Sequence, residues 1–151
     1  MTLVLVGVNF NDIPLAELEQ LERHTDEIRQ ALAQNSDASG IDGSVVVGTC
    51  NRFEIYLDSE RFHEPVNHAI RVISEATGWN ADYCSENLRV IYGLPVVSHL
   101  FSVTSGLESM VVGEGEIAGQ VKEALREAQK NGQTTKKLEQ VFQRAARVSK
   151  Q

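Results

Sequence analysis

Two apolar stretches, Ser44–Thr49 and Phe53–Leu57, are separated by only a few residues. So short a link cannot carry a crossover, so the two must be neighbouring strands of an antiparallel hairpin. The first contains Val45-Val46-Val47. The second alternates Phe53, Ile55 and Leu57 with Glu54, Tyr56 and Asp58, the pattern of a strand with one buried face. Cys50 falls at the tip of this hairpin.

The elements around the hairpin follow from periodicity. Leu3–Val8 is a short apolar run and predicts a buried strand. Asp12 and Pro14 mark a helix start, and Ile13, Leu18, Leu21, Ile28 and Leu32 form an apolar stripe through about Ala33. Gln34–Gly43 is a polar loop. Phe62–Thr77 predicts a second helix, with Gly78 placed to cap it, and Leu88–Tyr92 a fourth strand. The order β-α-β-β-α-β is that of a ferredoxin-like α+β fold, an antiparallel four-stranded sheet with two helices on one face. The core is expected to span 1–93. A helical extension over 94–151 follows, with helices at Pro95–Ser105, at Ile117–Lys130 and from a Thr134 or Thr135 cap to the end. The Gly-rich stretch Gly106–Gly115 is expected to be irregular. The last helix shows no stop signal, so the chain is expected to be a fragment of a longer protein, with a frayed terminal helix as the alternative.

Composition narrows the class. A chain of 151 residues with 42% hydrophobic content can bury one core. No run approaches the roughly 20 apolar residues of a membrane helix. The apolar N-terminus lacks a basic leader and cleavage site and reads as a strand, not a signal peptide. Two cysteines, Cys50 and Cys84, fit reduced thiols in the cytoplasm better than a disulfide scaffold. The four His and two Cys show no metal-ligand spacing. Charge is uneven: residues 1–121 hold 6 Lys/Arg and 18 Asp/Glu, while residues 122–151 hold 8 and 3. A basic end, including Lys136, Lys137, Arg144 and Arg147, suits either a polyanion or docking of another part of the molecule.

Cys50 is flanked by Thr49, Asn51, Arg52 and Glu54. The thiolate is the reactive form of cysteine, and nearby positive charge favours it, so Cys50 is a candidate nucleophile; a buried structural thiol is the alternative. Cys84 has no positive neighbour and reads as a partly buried bystander. His24, His63 and His68 stand among charged residues and read as surface side chains. His99 lies in an apolar segment, as a core histidine or a proton-transfer group. Gly113-x-Gly115 followed by Gly119 has the wrong spacing for a dinucleotide fingerprint.

Three groups of residues then combine: Thr49-Cys50-Asn51-Arg52-x-Glu54-x-Tyr56; His99; and Thr104-Ser105-Gly106-Leu107-x-Ser109-Met110-Val111-x-Gly113-Glu114-x-x-Ile117-x-Gly119-Gln120-Val121-Lys122. Together they resemble the glutamyl-tRNA reductases, and the resemblance runs from Gly7-Val8-Asn9 to Ala145-Ala146. It implies reduction of glutamate esterified to its tRNA, giving glutamate-1-semialdehyde at the expense of NADPH, the first step of the C5 route to tetrapyrroles. It also implies three parts: a catalytic domain, an NADPH-binding domain and a helical dimerisation domain. This chain resembles only the first. NADPH is therefore expected to bind in a domain outside this chain. The homodimer is expected to form through a C-terminal domain likewise outside it, with the downstream aminomutase as a candidate partner. No metal and no membrane are expected.

The resemblance also implies roles. Cys50 attacks the aminoacyl ester and forms a thioester, and His99 manages the proton. Thr49, Asn51, Arg52, Ser109, Glu114, Gly115, Glu116 and Gln120 match substrate-contact positions. By charge, Arg52 suits the substrate carboxylate and Glu114 its ammonium. Gly115-Glu116 and Ala118 depart from the expected pattern. Two other classes share features of this chain: a cysteine hydrolase or acyltransferase on a small ester or amide, and a non-catalytic ferredoxin-like RNA-binding module. The second normally displays sheet aromatics, and this chain has 6% aromatics with no paired strand motif.

Overall fold

The computed structural model describes residues 2–34, 39–106 and 116–148. Four strands, β1 (Thr2–Asn9), β2 (Ile41–Gly48), β3 (Arg52–Ser59) and β4 (Arg89–Tyr92), form one sheet in the order β2-β3-β1-β4. Every pairing is antiparallel, and the expected β2–β3 hairpin is present. Between and after the strands run α1 (Leu15–Arg23), α2 (Thr25–Gln34), α3 (His63–Thr77), α4 (Ala81–Asn87), α5 (Leu94–Thr104), α6 (Glu116–Lys130) and α7 (Lys136–Val148). Gly78 closes α3 in the left-handed conformation expected of it.

The sheet is covered on both sides. One face presents Val4, Val6, Val46, Phe53, Ile55 and Leu57 to Leu18, Leu21, Ile28, Leu32, Ala69 and Ile73 of α1–α3. The other presents Leu3, Leu5, Val45, Val47 and Tyr56 to Leu100, Val103, Val121, Leu138 and Phe142 of α5–α7. Tyr56 and Phe142 meet edge to face at 5.1 Å. This third layer corrects the expectation that β3 has a single buried face: all eight of its residues are buried. Glu54, Tyr56 and Asp58 look like solvent residues by alternation, but the later helices cover them.

Three local expectations also change. The single helix expected from Pro14 to Ala33 is two helices, because the chain turns at His24. There His24 Nδ1 bonds the Gln20 carbonyl at 2.7 Å, and the Thr25 hydroxyl donates to the Glu22 carbonyl at 2.8 Å, so side chains satisfy the orphan carbonyls. The turn lets both halves of the apolar stripe face the sheet. Helix α4 was not expected from its polar sequence; its start is capped by Asn80, whose side-chain oxygen accepts from the Tyr83 N–H at 2.8 Å. Cys84 and His68, expected partly buried and at the surface, are both buried. Burial, then the neighbouring Arg71 charge, holds the His68 pKa below its ordinary value.

The sheet has two distinct ends. At one end is the β2–β3 turn bearing Cys50. At the other, the α6–α7 connection meets the sheet, where Ser44 N–H donates to the Gln133 carbonyl at 2.8 Å and the Thr135 hydroxyl donates to Asp58 at 2.7 Å. Thr135 also accepts from the Leu138 N–H at 3.2 Å, the cap expected for the last helix.

Candidate active site

The Cys50 turn is built by Thr49. A two-residue hairpin turn normally needs positive φ at its centre, yet no described non-glycine residue has positive φ. Instead the Thr49 hydroxyl accepts from the Asn51 N–H at 3.1 Å and the Arg52 N–H at 3.2 Å, and Thr49 N–H donates to the Arg52 carbonyl at 2.9 Å. The side chain takes over the turn bonding. The Asn51 carbonyl accepts from Phe10 N–H at 2.9 Å, tying the turn to the end of β1. Cys50 is exposed on this turn.

Past the turn, β3 sends Arg52, Glu54 and Tyr56 to the face covered by α5–α7, because their spacing is two. Glu54, 3% exposed, is the hub. Its Oε2 accepts from Arg52 Nη1 at 3.3 Å and from His99 Nε2, and its Oε1 accepts from the Tyr56 hydroxyl at 2.9 Å. Arg52 is 1% exposed, while His99 on α5 keeps a partly open edge. A continuous polar chain thus runs from the cysteine turn through Arg52 and Glu54 to His99. Because a carboxylate only accepts, His99 Nε2 is the donor in the bond to Glu54.

Gly7 makes room for this hub. It lies opposite Glu54 in the β1–β3 register. A Cβ there would stand 2.9 Å from the Phe53 carbonyl oxygen and 3.0 Å from Glu54 Cγ. Gly7→Ala is expected to cost about 1–3 kcal/mol of stability by overpacking and to lower activity by shifting Glu54. Denaturant unfolding and turnover measured on one preparation check this; an alanine variant matching wild type in both would contradict it.

A shallow pocket bordered by Gly7, Asn9, Glu54, Arg89 and His99 opens beside the hub. At its rim Asp12 accepts from Arg89 Nη2 at 2.6 Å. A roomier polar cavity bordered by Gln34, Asn67, His68 and Arg71 lies between α2 and α3, on the other side of the sheet from His99. Among the described residues no group of three or more His, Cys, Asp or Glu is placed to hold a metal.

The structure brings Thr49, Cys50, Asn51, Arg52 and His99 into one connected region. Gln120 is exposed on α6. Ser109, Glu114 and Gly115 lie outside the described residues, as does the side chain of Glu116. Glu54 and Tyr56, which sequence reasoning did not single out as site residues, hold the network together. Their signal was the Arg-x-Glu-x-Tyr spacing on a strand, which puts all three on one face.

The second thiol is chemically different. Cys84 is completely buried, and burial pushes its pKa up. One fast thiol is therefore expected in native protein: Cys50 labelled by iodoacetamide at once, Cys84 only after unfolding. Peptide mapping by mass spectrometry reads the order, and equal labelling rates would contradict it.

The family model for the N-terminal domain of glutamyl-tRNA(Glu) reductase matches residues 6–151. The chain belongs to the glutamyl-tRNA reductase family. The glutamyl-tRNA reductase of Thermobifida fusca is 36% identical over 150 residues, which is 99% of this chain and 31% of that protein. That of Clavibacter michiganensis is 40% identical over 156 residues, covering 98% of this chain and 34% of that protein. The solved glutamyl-tRNA reductase of Methanopyrus kandleri superposes with a TM-score of 0.72 at 33% identity, over 98% of this chain and 33% of that one. The chain thus spans about a third of the length of these relatives. Gly7, the Thr49–Tyr56 motif and His99 all fall within the matched span of the reductase domain.

Proposed function

We propose that this chain is the catalytic domain of a glutamyl-tRNA reductase and that Cys50 takes glutamate from its tRNA as a thioester. The observation that carries the proposal is an exposed cysteine on a Thr49-built turn, joined through Arg52 and Glu54 to His99. The Cys50 thiolate attacks the ester carbonyl carbon. The carbonyl carbon–oxygen bond to the tRNA ribose breaks as the Cys50 thioester forms. The leaving oxygen takes a proton, for which His99 Nδ1 is the donor once charged, with Glu54 holding the imidazole from its other side. Glu54 is a positioning residue in this scheme.

Arg52 is assigned to the substrate carboxylate. At 1% exposure it is reached only when substrate displaces what covers it. Glu114 is assigned to the substrate ammonium, and Thr49, Asn51, Ser109, Gly115, Glu116 and Gln120 to the remaining contacts. The hydride in this family is expected to come from NADPH. The residues of this chain do not fit that cofactor: Gly113-x-Gly115 followed by Gly119 has the wrong spacing for a dinucleotide fingerprint, and Gly119 sits inside α6. No reduction step is therefore assigned to residues of this chain, nor are NADPH binding, dimerisation or any contact with an aminomutase. The proposed location is the cytoplasm; no described helix is long and apolar enough to cross a membrane.

The test uses tRNA charged with radiolabelled glutamate. Acid-stable, thiol-labile label on the chain supports the proposal. Absence of label in the chain and in its full-length relative would overturn it. A small-ester hydrolase would accept simple esters and show no preference for the charged tRNA.

A further inference from the structure

We infer that the groove between α6 and α7 is an electrostatic seat for the phosphodiester backbone of the RNA whose aminoacyl end reaches Cys50, an inference that rests on the proposed function. The groove has an apolar floor containing Val121, Leu125 and Phe142, and its rim carries Lys122, Arg126 and Arg147. Two amides, Gln129 and Gln143, border it as well; Gln129 donates to Glu139 Oε1 at 2.9 Å, so the acid nearest the groove is already bonded, and no described residue in the lining itself is acidic. Arg126 pairs with Glu123 at 3.2 Å, but both side chains are largely exposed, so that pair is weak and exchangeable. This surface lies in the segment 122–151, which carries 8 Lys/Arg against 3 Asp/Glu on a chain whose net charge is −7. A cationic groove on an otherwise acidic protein attracts a polyanion, while the acidic remainder of the surface repels it.

Its position fits the same RNA. Helix α7 begins beside Asp58 at the far end of β3, where Thr135 bonds that residue. Thirteen residues of helix rise about 20 Å, close to the extent of β3 from Asp58 to Arg52, also about 20 Å. From Asp58 onward, α7 packs Phe142 on Tyr56, two residues nearer the Cys50 turn, and brings the Ala145 carbonyl, two residues before Arg147, to the Thr104 hydroxyl at the end of the helix that bears His99. Groove and catalytic network share one face of the sheet. Backbone contacts in the groove would set the register of the RNA and leave its 3′ end free to enter the site, since phosphate contacts position without reading sequence.

The experiment measures binding of fluorescently labelled uncharged tRNA between 50 and 200 mM salt for wild type, Arg126→Ala/Arg147→Ala, and Arg23→Ala/Arg61→Ala as a control of equal charge on other exposed positions. The groove variant is expected to bind roughly tenfold more weakly at the lowest salt and to lose about two units of slope in log affinity against log salt, with the control changed by less than half as much. Equal effects of the two variants, or no salt-dependent binding by wild type, would overturn the inference. In parallel, acylation of Cys50 by the glutamyl ester of adenosine reads the chemistry without the groove and is expected to be unchanged in Arg126→Ala/Arg147→Ala. Retained acylation with unaltered tRNA binding counts against the groove alone; absence of acylation in every protein counts against the proposed chemistry.

Discussion

Cys50→Ser is expected to lose covalent capture of glutamate by on the order of 10⁴-fold or more, the range seen when a covalent nucleophile is removed. A serine hydroxyl needs a base to become nucleophilic, whereas a thiol supplies a useful thiolate fraction near neutral pH. The loss should be chemical, not structural. Cys50 is exposed, and the bonds that shape its turn come from Thr49 and from backbone groups. Stability should therefore stay within about 0.5 kcal/mol of wild type. Radiolabel retention after denaturation and a thermal melt check the two halves together. A serine variant that still accumulates thiol-labile label would remove Cys50 from the mechanism. A variant that loses label because it unfolds would show instead that the turn has been misjudged.

Glu54→Leu should unfold easily as well as fail in catalysis. The substitution removes an acceptor that Arg52, His99 and Tyr56 share and takes from a guanidinium of 1% exposure the carboxylate it meets on β3. Breaking one side of a buried ion pair costs about 3–5 kcal/mol, a large share of the roughly 5–15 kcal/mol that holds a domain folded. In a chain of this size the melting temperature should fall by roughly 6–20 °C. Replacing both partners, as Arg52→Met with Glu54→Leu, should restore much of that stability, because no buried charge is stranded, and yet leave acylation lost. The double variant separates the two roles of the hub. Glu54→Leu within about 1 kcal/mol of wild type in urea unfolding would show that Glu54 carries little of the structure.

The two roles also explain why Glu54 was hard to see in the sequence. Alternation along β3 predicted that Glu54, Tyr56 and Asp58 face water, and alternation is a sound rule for a sheet with one open face. Here α5, α6 and α7 close that face, and these helices follow β3 by 35 residues or more. The same closure places Arg52 behind the turn instead of on the surface. His99 was visible as an oddity in an apolar helix, but nothing within the helix said which carboxylate it would meet. His68 illustrates the converse: its charged neighbours suggested the surface, and packing of α3 buried it.

Local chemistry was legible throughout. The brief link between Ser44–Thr49 and Phe53–Leu57 required a hairpin and put Cys50 at its tip. The apolar periods gave four strands in βαββαβ order, and their antiparallel pairing followed. Hydroxyl and glycine signals located the cap at Thr135 and the stop at Gly78. Each of these depends on bonds between residues a few positions apart, so the order of side chains suffices to specify it. The break at His24, the short helix Ala81–Asn87 and the convergence of Arg52, Tyr56 and His99 on Glu54 depend on which surfaces meet after the chain has folded. Desolvation and long-range hydrogen bonds decide them, and neither is a property of a segment taken alone.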